Sequence, residues 1–356
     1  ATVINVLNDM DQKEVSWECG TRGVGVVVSD TMMFERGEPH ASDRHLGSFF
    51  GLALPLVKRG IPVEPAQLEN ATAPGALAQH RVLLMTYEGM KPLSPAVHDA
   101  LARWVRAGGA LVFVDDDRDP YNGVRGWWND ASKQMSYKTP REHLFEKLGL
   151  PKDAHAGAFT VDKGHVFFEA ASPAALTYKK DGAGRVRGLV RQACAAAGLE
   201  YRETNHMTLR RGPYVVAAGL DESIGGGSHV LRGRYLDLFD ARLRVLDAVV
   251  LEPGSRKLLL DLDRAAALHP KGTPRVLAAA CKVLGAAKTA DGAFRFHVDG
   301  QEGVEAVARV ALAHPPTSVE FDGKPLAAAA LVWDAGSRTL LVSFPSTIGG
   351  HWVVIK

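Results

Sequence analysis

Four aspartates stand within five residues, Asp115-Asp116-Asp117-Arg118-Asp119, and Pro120-Tyr121-Asn122-Gly123 follow. Alternate carboxylates followed by an amide are the oxygen donors a hard cation such as Ca²⁺ takes, which makes Asp115, Asp117 and Asp119 a candidate metal set. The match to a calcium loop is partial. Pro120 interrupts it, and Gly126 stands at the twelfth position, where that loop carries a glutamate. Two other readings stay open: a solvated loop whose acids pair with Arg118 and Arg125, or direct contact with a polar ligand. Tyr121, Trp127 and Trp128 share the segment. Aromatic faces stack on sugar rings, and neighbouring Asp and Asn122 side chains bind hydroxyls. The same tryptophans would equally serve packing or a subunit contact, where Trp is enriched. Apart from Ca²⁺ in this loop, no cofactor is implied.

Glu88 is the other candidate. It follows the apolar run Arg81 to Thr86, where an α/β hydrolase would place its nucleophile on a sharp turn. The residues there are Tyr87-Glu88-Gly89, with no Cys or Ser, and neither GxSxG nor HExxH occurs. The 13 histidines show no metal-ligand spacing. A glycosidase needs two carboxylates across a pocket, and Glu88 with one of the aspartates would meet that count, but nothing singles out a pair. No catalytic residue is therefore assigned. The candidate ligand-binding set is Glu88, Asp115, Asp117, Asp119, Tyr121, Asn122, Trp127 and Trp128.

These residues need a scaffold, and the first half of the chain reads as alternating strands and helices. Strands are expected at 23–29, 61–64, 81–86, 110–114 and 164–169, as short apolar runs suited to a buried parallel sheet. Helices are expected at 46–59, at 96–106 with Ser94 as cap and Pro95 in the first turn, near 140–148, and at 185–198. The order predicts an open parallel sheet flanked by helices, with an insertion over 115–158. Its candidate site then lies beyond the carboxyl ends of the strands, where such sheets bind ligands. The loops at 29–36, 87–89 and 115–119 end there. From about residue 205 a period-two alternation takes over, with turn pairs such as Asp291-Gly292, Asp299-Gly300 and Asp322-Gly323. That predicts an antiparallel β-sandwich or barrel, one of whose strands spans 275–284. The Gly225-Gly226-Gly227-Ser228 stretch lacks the Lys and helix of a phosphate loop.

Composition narrows the class. Lys and Arg total 42 against 40 for Asp and Glu, so the basic excess of a nucleic-acid binder is missing. No apolar run approaches the ~20 residues a membrane helix needs. Cys19, Cys194 and Cys281 lie far apart and read as small core residues. They fit a reducing bacterial cytoplasm, or a secreted protein whose leader was removed. The chain opens on Ala1-Thr2-Val3-Ile4 without an initiator Met or a basic leader, so it reads as a processed or excised chain and not as one that starts with a signal peptide.

The stretches Gly51 to Val63, Arg81 to Thr86, Leu101 to Val114 with Gly108-Gly109, and Gly164 to Phe168 carry a resemblance. The region from Gly23 to about Asn205 resembles the glutamine-amidotransferase-like α/β domain of bacterial family-forty-two β-galactosidases. In those enzymes it follows the catalytic barrel and is called the trimerisation domain. Arg211-Gly212-Pro213-Tyr214, Gly233 to Leu238 and Val319 to Lys324 are similar to the β-sandwich that ends such glycosidases. The resemblance implies a flavodoxin or class I amidotransferase-like fold over 21–205, a β-sandwich over 206–356, and a connector at 1–20. It implies homo-oligomerisation, a carbohydrate as the relevant ligand, and no nucleic-acid or membrane partner. The family's catalytic glutamates sit on a (β/α)₈ barrel of about 250 residues. Only about twenty residues precede the α/β domain here, so none of those glutamates carries over. The 115–158 insertion departs from the family pattern.

Overall fold

A computed structural model describes residues 6–7, 10, 15–32, 37–40, 45–222, 224–270 and 272–356. Most of the expected connector and the Met33–Arg36 loop lie outside the described residues. Two compact units emerge: one is Cys19–Met207 with Glu222–Ile224, the other Ala1–Glu18 with Thr208–Asp221 and Gly225–Lys356. Within the 1–20 stretch, Val15–Trp17 forms strand β1, which belongs to the second unit.

The first unit is built on a six-stranded sheet. Its strands are β2 (Val24–Val28), β3 (Glu64–Gln67), β4 (Val82–Met85), β5 (Ala110–Val114), β6 (Gly157–Val161) and β7 (Gly164–Glu169), in the order β3-β2-β4-β5-β7-β6. Helices α1 (Gly47–Val57), α2 (Pro95–Arg106), α3 (Pro140–Leu148), α4 (Pro173–Leu176) and α5 (Gly182–Ala196) complete it. Successive strand residues face opposite sides of a sheet. Leu83, Met85, Leu111 and Phe113 accordingly join the core under α2 and α3. Val82, Leu84, Val112 and Val114 join the core under α1 and α5. Burial on both sides explains why these strands are unbroken apolar runs.

The sheet is not wholly parallel, as the alternation predicted, because β6 pairs antiparallel with β7 at its edge. The short Asp162-Lys163 turn between them leaves room only for a hairpin. The strand expected at 61–64 forms three residues later. Ile61 N–H donates to Leu56 O and closes the end of α1, and Pro62 has no N–H to give. Ser94 precedes α2 in extended conformation, but its side chain makes no capping bond.

Among its described residues the strand pairings of the second unit are all antiparallel, and they form three sheets. The remaining strands are β8 (His206–Arg211), β9 (Tyr214–Gly219), β10 (His229–Asp237), β11 (Val245–Leu251), β12 (Arg256–Asp261), β13 (Arg275–Ala279), β14 (Lys282–Lys288), β15 (Phe294–Asp299), β16 (Val304–Ala311), β17 (Val319–Phe321), β18 (Lys324–Pro325), β19 (Leu331–Asp334), β20 (Thr339–Ser346) and β21 (His351–Ile355). The sheets run β1-β8-β9-β12-β10-β11, β13-β16-β20-β19 and β14-β15-β21-β17-β18. The last two share one buried cluster, with Phe296 and Val353 from one sheet and Val310, Val342 and Phe344 from the other. The single strand expected at 275–284 is two strands, because the chain changes sheets at Ala280-Cys281. Helix α6 (Leu262–Ala267) takes up the Ala265–Ala267 run, and the Asp261 carboxylate caps it by accepting from Arg264 N–H at 2.9 Å.

Candidate functional site

Strands β4 and β5 end side by side, which carries Glu88 and the aspartate run to one place in the first unit. Asp115 ends buried, 2 % exposed. One of its oxygens accepts from Thr86 Oγ1 at 2.9 Å and Tyr87 N–H at 2.7 Å, and the other from Asp117 N–H at 2.7 Å. Burial outweighs these bonds and raises its pKa. Asp117 turns through a left-handed backbone conformation, φ 59°. Its Oδ2 accepts from Arg141 Nε at 2.8 Å and faces Arg141 Nη2 at 2.6 Å. Asp119, also buried, accepts from Gly89 N–H at 2.8 Å and from the Lys91 ammonium at 2.7 Å through one oxygen. Its other oxygen accepts from Tyr121 N–H at 3.0 Å. Asp116 accepts from Arg118 N–H at 3.0 Å.

The three alternate carboxylates expected as a calcium set are therefore engaged by three different groups of donors. Asp117 and Asp119 each meet a cationic side chain, Arg141 and Lys91, whereas the bonded partners of Asp115 are N–H groups and a hydroxyl. Among the described residues, no group of three or more His, Cys, Asp or Glu side chains is placed to hold a metal ion.

Glu88 is 4 % exposed. Ser172 Oγ lies 2.8 Å from each carboxylate oxygen, and Ala174 N–H donates to Oε2 at 3.3 Å. Burial dominates and lifts the carboxyl to about 7, against the pull of these bonds, and the nearby Asp115 and Asp116 charges add to the rise. The turn that presents Glu88 is closed by Gly89 at φ 73°, a conformation glycine takes without steric cost.

The aromatic part of the loop faces inward more than outward. Trp128 is 4 % exposed and donates Nε1–H to Asn122 O at 3.1 Å. Trp127 is half-buried and donates to Pro92 O at 2.7 Å. Tyr121 is half-buried too, and Asn122 is buried with an unpartnered Oδ1. Asn122 Nδ2 donates to Asp117 O at 3.1 Å. A recess of about 440 Å³ in the insertion is lined by Gly123, Arg125, Asn129, Asp130, Ala131 and Ser132, without either tryptophan.

Beneath this loop lies a polar chain that sequence reasoning missed. Tyr87 Oη stands 2.6 Å from His98 Nε2, and His98 Nδ1 stands 2.7 Å from His143 Nδ1. Trp127 meets both imidazoles edge-on, with ring centroids 5.4 and 5.0 Å away. Burial lowers the pKa of both histidines; His143 and Lys147 disfavour charge on His98 further, and Lys147 does so on His143. One direction of proton donation satisfies the chain with both rings neutral: Tyr87 to His98, and His98 to His143. The available signal was a histidine on the apolar stripe of an amphipathic helix, His98 beside Val97 and Leu101.

Cys194 and Cys281 are buried, and burial pushes both thiols up to about 11, so neither is a ready nucleophile. Among the described residues, no helix is long and apolar enough to cross a membrane.

No family model and no curated protein matches the chain. Solved structures give loose matches. One is the β-galactosidase from Bacillus circulans sp. alkalophilus, at 11 % identity and TM-score 0.41, covering 67 % of this chain and 41 % of that one. Another is a catalytic mutant of a GH42 β-galactosidase from G. stearothermophilus, at 12 % and 0.42, covering 67 % and 40 %. A rhamnosidase from Novosphingobium sp. overlaps more of this chain, 94 %, at 12 % identity and TM-score 0.32. The chain spans about two-fifths or less of the length of these proteins.

Proposed function

We propose that this chain is the non-catalytic part of a glycoside-hydrolase-like, carbohydrate-active protein. In this reading an amidotransferase-like α/β domain at 21–205 precedes a β-sandwich region at 206–356. The α/β domain joins copies of the chain and helps to shape a sugar pocket. The observation that carries the reading is the fate of the strand-end acids. Glu88, Asp115, Asp117 and Asp119 are each engaged by donors of the same unit, which supports a role for these acids in holding loops together. The packing and turn patterns that resemble the post-barrel region of family-forty-two enzymes support the same reading. So does the pair Phe50 and Leu54, each 40 % exposed one turn apart on α1, as a surface for self-association.

The chain should cleave no nitrophenyl glycoside by itself, and the open reading frame upstream of Ala1 should encode a barrel with two catalytic glutamates. Turnover abolished by Glu88→Gln would instead establish a small hydrolase, a reading favoured only by the carboxyl that titrates near 7. An upstream frame with no barrel, together with saccharide binding, would establish a stand-alone carbohydrate-binding protein.

A further inference from the structure

His98 stands on α2 and His143 on α3, and both are buried, 0 and 3 % exposed. Counting protons along the chain from Tyr87 gives it a property that neither histidine has alone. With both rings neutral, Tyr87 Oη–H donates to His98 Nε2, and His98 Nδ1–H donates to His143 Nδ1. An extra proton has two places to go. On His98 Nε2 it turns Tyr87 Oη into an acceptor, and the tyrosine's own proton loses its place in the chain. On His143 Nδ1 it displaces the His98 proton to Nε2, with the same result at Tyr87. A second extra proton sets two N–H groups against each other across a 2.7 Å contact. The closed arrangement therefore holds only uncharged rings at full satisfaction.

The surroundings do little to offset a charge. Lys147 on α3 disfavours it on both rings, and Lys152 on His143. Asp99 on α2 and Glu146 on α3 favour it on His143, but each is already spent on a lysine. Asp99 pairs with Lys147 at 2.9 Å, and Glu146 with Lys152 at 2.8 Å while accepting from Tyr137 Oη at 2.8 Å. The remaining neighbours are neutral rings: Tyr87 after β4, and Trp127 and Tyr137 from the insertion. A charged pair in this place needs water. Helix α3 is rooted by Leu144, Phe145 and Leu148 in the core and cannot readily yield. The loop over 120–138 can, because only Asn122 and Trp128 in it are buried, and its Trp127 and Tyr137 roof the imidazoles.

We propose that the Tyr87–His98–His143 chain is an acid-sensitive catch on the 120–138 loop. Neutral, it closes the loop over the two rings. Protonated, it releases the loop, admits water to both imidazoles and uncovers Trp127 while the sheet beneath stays folded. The device stands on the geometry of the three buried groups and goes beyond the carbohydrate-active reading, which it does not require.

Hydrogen exchange of the whole chain tests this, followed by mass spectrometry from about pH 7.5 to about pH 5 and corrected for the intrinsic pH dependence of exchange. The reporters are loop amides such as Lys133 N–H, which donates to Asp130 O, and Tyr137 N–H, which donates to Trp128 O, both at 2.9 Å. Each ring that charges in the open loop raises opening about tenfold per pH unit, so two rings should raise it about a hundredfold per unit once the pH is below the ordinary histidine value. Strands β4 and β5 should keep their protection throughout. In His143→Gln the amide oxygen can accept from His98 Nδ1–H and never charges, so the slope should fall to about tenfold per unit. Loop protection that does not change with pH overturns the proposal. So does a slope of about tenfold or less in the parent chain, a result that needs no variant. Protection lost from β4 and β5 together with the loop overturns it as well, and so does a slope in His143→Gln equal to the parent's.

Discussion

Glu88 holds a proton in the folded chain under conditions where the unfolded chain would release it. Its folded pKa of about 7 lies above the ordinary 4.5. Its contribution to stability is therefore complete below pH 4.5 and is lost as pH rises through 7. Glu88→Gln keeps the shape and removes the titration. Urea denaturation should find the variant gaining on the parent between pH 5 and pH 8, by up to roughly 3 kcal/mol for a shift of this size. A difference that stays flat with pH would contradict this. The His98–His143 pair has the opposite sign. Both folded values are lowered, so its contribution is complete above pH 6.5 and is lost on acidification. Nitrogen-detected NMR should place the titration of both rings below the ordinary 6.5, and a ring that titrates above it would refute the neutral chain. Asp117→Ala strands Arg141, whose side chain is only 8 % exposed. Because Asp117 itself is 29 % exposed, the loss should be about 2–3 kcal/mol, at the lower end for a broken buried pair. The bound-metal content should be nil before and after the change. A metal lost with the substitution would restore the calcium reading.

At the scale of elements, helix α2 and strand β7 meet through a glycine. A Cβ on Gly164 would lie 1.9 Å from Val105 O, which forces the two apart. Gly164→Ala should lower stability by about 2–3 kcal/mol. Gly188, in the interior of α5, has no atom within 4 Å of its missing Cβ, and Gly188→Ala should raise stability by up to about 1 kcal/mol. Thermal melts of the two variants should move in opposite directions, and equal shifts would contradict the contact geometry. The same elements show what a sequence reveals. Buried parallel strands such as 82–85 and 110–114 are legible because every residue is apolar. Strand β6 was not read, since Gly157-Ala158-Phe159-Thr160-Val161 is mostly exposed on a sheet edge and lacks that signature. The sheet change at Ala280-Cys281 leaves no mark, because apolar residues run unbroken from Val276 to Cys281. The strand-end position of Glu88 and the aspartates was legible from strand order. Their partners were not: Arg141 and Ser172 reach the site from 24 and 84 residues away along the chain. The His98–His143 contact is hidden for the same reason, spanning 45 residues.

For the whole molecule, near-neutral net charge offers little electrostatic resistance to self-association. The proposed oligomer should be visible by sedimentation velocity, and a Phe50→Asp, Leu54→Asp double variant should shift it towards single chains. A parent chain that sediments as a monomer at high concentration would remove the self-association part of the proposed function. Strand β1 pairs antiparallel with β8, with Trp17 opposite Leu209. Residues 19–207 thus leave and rejoin one sheet at adjacent strands, as an excursion between two neighbours. A two- or three-residue turn from Trp17 to Leu209 would make β1 and β8 an ordinary hairpin. The α/β segment is in this sense a cassette within a β scaffold: its excision would leave no gap to bridge, and another insert with close-set ends would fit the same seam.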